Sequence, residues 1–441
     1  MIFTRLLPHQ QIALDWLTGK PRAGLFMGLG SGKSLVALAR AKALLARRIL
    51  ITSDKNGAIN VWPDQINRHT DFKYVVRPVD LSKIKFDMPT CVITNYDMLA
   101  ANPDRYRLHW DLWIGDESSE FKDQRTHKHK MTRSIVQAAD NRLILNGKLM
   151  TERLEDVWPQ MSLLGFTSPL GRTMTQFKMR YMRMDDMGYG WIPQRSAFTR
   201  VQRDMDGLGY FLDDVPNMPE KNYINVPVEM TDQQRRLDND LRSAFAASMG
   251  KIQIETQFAA ACFIKRLQLS GGIFRGDDGE WCPVPTRKLE ALVQVVNDNP
   301  DHRIVVWHSY IPETEIISQH LTARGVPHLV FRSPTDTHVL EAFAKGQANV
   351  ILVRSSMCRG LNQLVGADIA VFYSNPLAYA RRAQAEGRSC RITSEYEDTH
   401  YFDLTTEGGA DEVVHRLLQN KQSCSLTFSR MYAILQDEKN M

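Results

Sequence analysis

The stretch with the plainest chemical capacity is Met27-Gly28-Leu29-Gly30-Ser31-Gly32-Lys33-Ser34. A short apolar run, Ala23 to Met27, precedes it and reads as a buried strand. An alanine- and leucine-rich run, Leu35 to Ala46, follows and reads as a helix. Strand, glycine-rich loop, Lys-Ser and helix in that order predict a phosphate-binding loop. Gly30 and Gly32, with Ser31 between them, let main-chain N–H groups turn inward around phosphate oxygens, and the helix N-terminus adds partial positive charge. Lys33 is expected to reach the β- and γ-phosphates and the Ser34 hydroxyl to hold Mg²⁺. The second chemical feature is Asp116-Glu117, directly after the apolar run Leu112 to Gly115. Phosphoryl transfer needs one carboxylate for the metal shell and another to orient and deprotonate the attacking water. Asp116 suits the first role and Glu117 the second.

These residues need a scaffold, and the sequence predicts one of parallel sheets. Besides Ala23–Met27 and Leu112–Gly115, the runs 48–52 (RILIT), 90–94 (TCVIT) and 142–145 (RLIL) read as strands alternating with helical patterns, which implies βαβ units. From Phe166 to about Pro285 the pattern changes. Residues 172–203 are rich in arginine, methionine and aromatics, and read either as a solvated, partly helical insertion or as a contact for a nucleic-acid backbone. Lys221 to Met230 alternates like a strand, and 231–247 and 258–269 read as helices. A second α/β block follows, with strands predicted at 303–307, 328–331, 350–353, 369–372 and 399–404 and no glycine-rich phosphate loop. Within it, Gln384 to Arg391 carries Arg388 and Arg391 three residues apart, a spacing that puts both on one face of a helix. Such arginines can stabilise charge on a transferring phosphoryl group. The run His127-Lys128-His129-Lys130 reads as a solvated basic loop, since histidines two apart do not share a helix face.

At 441 residues the chain suits two or three domains. Its six cysteines (91, 262, 282, 358, 390 and 424) are scattered without a Cys-x-x-Cys pair. That pattern argues for reduced thiols, a cytoplasmic setting and no structural zinc. No apolar run approaches the length of a membrane span, and the early polar residues do not read as a secretory signal. The net charge of +5 is a mild pointer to a polyanionic partner.

Taken in order, these elements resemble the Swi/Snf-like branch of superfamily-2 helicases and translocases, over nearly the whole chain. Leu6 to Gln10 followed by Trp16-Leu17 looks like the family's adenine-recognition segment, with Gln10 in the glutamine's place. Residues 30–34 match the nucleotide loop. Ile49 to Trp62 and Ile93 to Tyr96 resemble segments that grip the nucleic-acid strand. Asp116-Glu117 matches the metal and water pair, and Leu145-Asn146-Gly147 with Leu154 to Trp158 matches the coupling motif. Gly360-Leu361-Asn362 with Ala367-Asp368, and Gln384-Ala385 with Arg388 and Arg391, match the fifth and sixth motifs. Ser118-Ser119 stands where the family has Ala-His, Asn146-Gly147-Lys148-Leu149 where it has Thr-Gly-Thr-Pro, and Met357 and Cys358 where it has glycines.

The resemblance implies an α/β fold of two RecA-like parallel-sheet lobes with a partly helical insertion between them. The expected boundaries are 1–225 and 226–441, with the basic and aromatic insertion at about 166–220. It further implies a DNA-stimulated ATPase and translocase binding ATP and Mg²⁺ between the lobes. Lys33, Glu117, Arg388 and Arg391 would be catalytic. Gln10, Gly30, Ser31, Gly32, Lys33, Ser34, Asp116 and Gly360 would hold the nucleotide, and Ser34 and Asp116 the metal. Duplex or branched DNA is the expected partner ahead of single strands and RNA. The alternatives are a strand-separating helicase on DNA or RNA, and a nucleic-acid-binding module whose ATPase is vestigial.

Overall fold

The computed structural model describes residues 1–147, 149, 153–165, 170–185, 190–249, 256–276, 279–333, 335–358, 361–391, 394 and 396–420. The chain divides into two units, Met1–Asn217 and Met218–Met441.

The first unit is built on β1 (Arg22–Met27), β2 (Arg48–Ser53), β3 (Lys73–Val76), β4 (Thr90–Asn95), β5 (Leu112–Gly115) and β6 (Asn141–Asn146). A short antiparallel hairpin follows, β7 (Met182–Met184) and β8 (Trp191–Pro193), and then β9 (Gly209–Leu212). Seven of these form one sheet in the order β3-β4-β2-β5-β6-β1-β9, with every pair parallel. A parallel sheet must be covered on both faces, so its strands read as unbroken apolar runs. All six residues of β4 are buried, and only Arg48 of β2 reaches solvent. The two-residue period of a strand then divides the side chains between layers. Phe26, Leu50, Trp113 and Ile144 enter one core, and Leu25, Ile49, Ile51, Ile114, Leu143 and Leu145 the other. Phe26 needs room to lie across the sheet. A Cβ at Gly24 or Gly209 would stand 2.5 or 2.9 Å from its ring.

Residues 172–203 are a correction to the reading as a solvated insertion. Helices Met174–Tyr181 and Ala197–Asp204 flank the hairpin, and Phe177, Tyr181, Met182, Ala197 and Val201 are buried in the same core as Trp110 and Trp113. These five side chains form one inner face that turns the stretch into part of the lobe's core. Arg172, Arg180, Arg183, Arg195 and Arg203 lie on the outside. The run His127–Lys130 is also not a loop. It opens the helix His127–Val136, capped by the Thr126 hydroxyl. His129 is buried and bonds the Pro159 carbonyl and Ser162 Oγ, each at 3.0 Å. Burial lowers its pKa, so it packs there as a neutral ring.

The second unit carries β10 (Glu220–Val228), the antiparallel pair β11 (Ile273–Arg275) and β12 (Trp281–Pro283), β13 (Ile304–His308), β14 (His328–Phe331), β15 (Val350–Arg354), β16 (Ile369–Phe372) and β17 (Asp398–Thr406). Its six-stranded sheet has the order β10-β17-β16-β13-β15-β14, again all parallel. The same alternation operates. Val305, Trp307, Ile351, Val353 and Phe372 face one layer, and Ile304, Val306, Leu352, Ile369 and Val371 the other. Among the described residues no helix is long and apolar enough to cross a membrane.

One buried carboxyl in this unit gives stability a pH dependence of known sign. Glu313 Oε2 accepts from the N–H groups of Ser309 and Tyr310, both at 3.0 Å, and from Ser374 Oγ at 2.6 Å. Burial nevertheless pushes its pKa from 4.5 up to about 7. A folded pKa above the unfolded one means that the stabilisation is complete below about pH 4.5 and is lost as pH rises through about 7. Glu313→Gln is therefore expected to flatten the fall in melting temperature between pH 5 and pH 8. Identical pH profiles for the variant and the parent protein would contradict this assignment.

Candidate nucleotide site

The glycine-rich loop leaves the carboxyl end of β1 and runs into the helix Lys33–Ala43. Gly30 and Gly32 take φ of +80° and +79°, the left-handed region that favours glycine. Gly32 is further constrained, because a Cβ there would stand 2.2 Å from Gln10 Nε2. Gln10 comes from the first helix, Pro8–Leu17, and is almost fully buried. Its Nε2 donates to the Ser31 carbonyl at 3.0 Å, as does His9 Nε2, while its Oε1 accepts from Leu7 N at 3.0 Å. The first helix thus braces the loop through Ser31. Lys33 Nζ donates to the carbonyls of Met27 (2.8 Å) and Gly28 (3.1 Å). The Gly32 cap offers no side chain to the N-terminus of this helix. Ser31 Oγ is also buried without a hydrogen-bond partner. A buried hydroxyl without a partner beside a lysine at a helix N-terminus is the chemistry of an anion site.

The carboxylates arrive from β5. Asp116 is held on several sides. Its N–H donates to the Thr52 carbonyl (2.8 Å), and Tyr96 OH donates to its carbonyl (2.6 Å). Its Oδ2 accepts from the Trp62 indole N–H (3.0 Å) and Ser53 Oγ (3.2 Å), and its Oδ1 from the Glu117 N–H (3.0 Å). Burial and then Glu117 push its pKa up to about 7. Lys33 is near enough to pull it back down, Asp54 raises it and the Trp62 bond lowers it. A carboxylate in that position is one that a cation would restore to its charged form. Its carboxylate and the Ser34 hydroxyl are both hard oxygen donors of the kind Mg²⁺ prefers, and could hold that ion. Glu117 itself sits at φ 52°, ψ 51°. A left-handed conformation in a non-glycine residue costs energy and is concentrated at functional sites.

The structure therefore brings Gln10, the loop residues 30–33 and Asp116–Glu117 to the carboxyl ends of β1 and β5, where ligands of parallel sheets gather. Trp62 is a correction. It is fully buried and bonds Asp116, so it does not offer its ring to a nucleic-acid strand. Neither that bond nor the Ser53 contact has a local signal, because both partners are more than fifty residues away in sequence.

In the second unit, Arg388 lies on the helix Tyr379–Ser389, buried, with its Nε lacking a hydrogen-bond partner. Arg391 is not on that helix, contrary to the reading from spacing. Cys390 turns extended (φ −82°, ψ 103°) and ends it. Arg391 folds back so that its Nε donates to the Gly387 carbonyl at 3.1 Å. Burial, with Arg388 as neighbour, lowers its pKa. Gly360 and Lys148 lie outside the described residues.

No protein-family profile matches the chain. Two viral relatives do. Protein p41 of Acyrthosiphon pisum secondary endosymbiont phage 1 is 24% identical over 400 residues, covering 83% of this chain and 85% of that protein. The "Probable global transactivator" of Orgyia pseudotsugata multicapsid polyhedrosis virus is 22% identical over 472 residues, covering 96% and 90%. Among solved structures, the Hef helicase domain of Pyrococcus furiosus aligns with a TM-score of 0.55 at 14% identity, over 94% of this chain and 98% of that one. The SWI2/SNF2 ATPase core of Sulfolobus solfataricus, solved with double-stranded DNA, aligns at 0.45 and 17% over 95% and 92%. The fold is that of a helicase core, two RecA-like parallel-sheet lobes.

Proposed function

We propose that the chain is an ATP-dependent nucleic-acid motor of the Swi/Snf-like kind, moving along duplex or branched DNA. The observation that carries this reading is the placing of Lys33 close enough to act on Asp116, with Glu117 beside it, at the strand ends of the first unit. Lys33 and the loop N–H groups bind the phosphates, and Ser34 and Asp116 are the residues that would hold magnesium. Magnesium, when bound, neutralises phosphate charge and polarises the phosphoryl group. Glu117 orients the attacking water and takes its proton. Arg388 and Arg391, by their match to the sixth motif, would offset charge on the transferring group. Gly360, by its match to the fifth motif, belongs with the nucleotide-binding set. The exposed arginines 172, 180, 183, 195 and 203, interspersed with Met179, Met184 and Phe198, suit contact with a phosphate backbone. A cytoplasmic motor with a polyanionic track also fits the phage relative and the positive net charge.

The indole of Trp62 should be felt at the metal. Trp62→Phe removes the donor to Asp116 and keeps a ring in the core. The Mg²⁺ concentration for half-maximal turnover is expected to rise about tenfold, as for other residues that orient a metal ligand. An unchanged magnesium titration would separate Trp62 from the metal.

The function is tested by steady-state ATP hydrolysis without nucleic acid and with single strands, duplex, a branched junction or RNA, at low and moderate salt. Strong stimulation by duplex or branched DNA that weakens as salt rises is expected, because phosphate contacts release counterions. Stimulation by single strands or RNA alone would replace this reading with a strand-separating helicase. Turnover equal to that of Lys33→Ala under every condition would leave a binding module.

A further inference from the structure

Ser118 follows the catalytic pair directly, and Asn146 ends β6 at the start of the coupling segment. Both depart from the residues the Swi/Snf-like pattern carries at those positions. In the structure they meet on one side chain that neither motif contains. Gln160, on the helix Val157–Leu164, is completely buried. Its Oε1 accepts from Ser118 Oγ at 2.7 Å and from Asn146 Nδ2 at 3.2 Å. Its Nε2 donates to the carbonyls of Leu149 at 3.0 Å and Asp156 at 2.8 Å. The amide has two donors and two acceptor sites, and all four are used. Its orientation is fixed by these partners, since a flipped amide would turn its oxygen toward two carbonyl oxygens. Asn146 is fixed likewise, because its Oδ1 accepts from Gly147 N at 2.8 Å.

We infer that Gln160 is the positioning residue that links the state of the Asp116–Glu117 loop to the coupling residues Asn146 and Leu149. The inference rests on the motor reading above and deepens it. A displacement of the carboxylate loop pulls on Ser118, and the shared oxygen of Gln160 transmits it to Asn146. The other end of the same amide pins Leu149 and the start of the helix. A fully satisfied buried network of this kind holds its members in one arrangement and resists partial loosening. The link needs neither the Ala-His nor the Thr-Gly-Thr-Pro residues, which explains how this chain dispenses with them.

The test is the ratio of duplex-stimulated to unstimulated ATP turnover in the full chain, with the KM for ATP, for Gln160→Leu, Ser118→Ala and the double variant. Gln160→Leu is expected to lower the stimulation ratio about tenfold while the KM for ATP stays within about twofold, since the bonds of Gln160 run to Ser118, Asn146, Leu149 and Asp156 and not to the phosphate loop or Lys33. The double variant should lose no more than Gln160→Leu alone, because both break one link. Gln160→Asn, which keeps the amide on a shorter arm, and a melting curve for each variant separate linkage from folding. Partial recovery of stimulation by Gln160→Asn supports the link. Stimulation that tracks melting temperature across all variants, or full stimulation in Gln160→Leu, overturns it. A parent protein with no stimulation by any nucleic acid overturns the motor reading itself, and the link with it.

Discussion

Glu117→Gln is expected to reduce ATP turnover about 10²–10⁴-fold, the usual contribution of a positioned general base, while nucleic-acid binding stays near that of the parent protein. The substitution isolates one property. Glu117 sits in the left-handed region at φ 52°, and glutamine has the same shape and meets the same backbone demand. The amide still hydrogen-bonds but cannot take a proton from water. Asp116 should respond as well, because Glu117 is the second cause, after burial, of its raised pKa. Removing that negative charge moves Asp116 back toward ordinary carboxylates, so the metal site should be no weaker in the variant. Lys33→Ala should also abolish turnover, by a different route. It takes away a cation that steadies Asp116 and the only lysine in the loop. Measured together, Glu117→Gln should bind nucleotide normally and Lys33→Ala should bind it poorly. Normal hydrolysis by Glu117→Gln would show that another group activates the water.

Arg382→Ala is expected to cost the second unit about 3–5 kcal/mol, the range for breaking a buried ion pair by removing one partner. Arg382 holds two buried carboxylates at once. Its Nε bonds Glu386 Oε1 at 2.8 Å and its Nη2 bonds Asp403 Oδ2 at 3.0 Å, with Nη1 on Asp403 Oδ1. The guanidinium lies 3.5 Å from the centre of the Phe372 ring, so it also packs on β16. Lys221 and Tyr223 of β10 reach the far oxygen of Glu386, at 3.1 and 2.9 Å. The cluster thus fastens the helix that carries Arg388 to β10, β16 and β17.

Burial alone would raise both carboxylates. Instead Arg382 holds Asp403 well below the usual range and Glu386 below its ordinary value. A depressed folded pKa means stability that is present above the unfolded value and lost as pH falls through the folded one. In Arg382→Ala the two groups lose their main partner and are easier to bury protonated. The cost should therefore be greatest near neutrality and shrink toward pH 4, close to the ordinary carboxylate values. Hydrogen exchange reads this region by region. Amides of β16, β17 and residues 379–389 should lose protection while β1 to β6 keep theirs. Unchanged protection in the second unit would show that the cluster is not what fastens the helix.

How far the sequence foretold this depended on where the determining contacts lie. Central strands declare themselves locally. Ile49 to Thr52 and Val350 to Val353 are buried on both faces, so every residue there is apolar or β-branched, and β2 and β15 fall within a residue of the predicted limits. Edge strands do not. β3 (KYVV) is half exposed, and β9 (GYFL) is four residues whose place beside β1 depends on Phe26 lying over two glycines. Residues 172–203 misled because polar residues outnumber the few apolar ones that form the inner face. At the site, the glycine-rich loop and Asp116–Glu117 are legible because their neighbours in sequence are also their scaffold. Trp62, Ser53 and Gln160 are not, since each acts on a group brought to it only by the sheet. Arg391 shows the limit of spacing arguments. The interval of three is helical only if the helix continues, and Cys390 ends it by burying its thiol, whose Sγ donates to the Pro219 carbonyl at 3.5 Å.

The most direct measurement is ATP-driven displacement of a third strand from a DNA triplex, which requires movement along the duplex and no strand separation. The parent protein should displace the third strand in the presence of ATP and Mg²⁺, and Glu117→Gln should bind the same DNA and displace nothing. Turnover stimulated by duplex with no displacement, or displacement that proceeds equally in Glu117→Gln, would contradict a motor driven by this site.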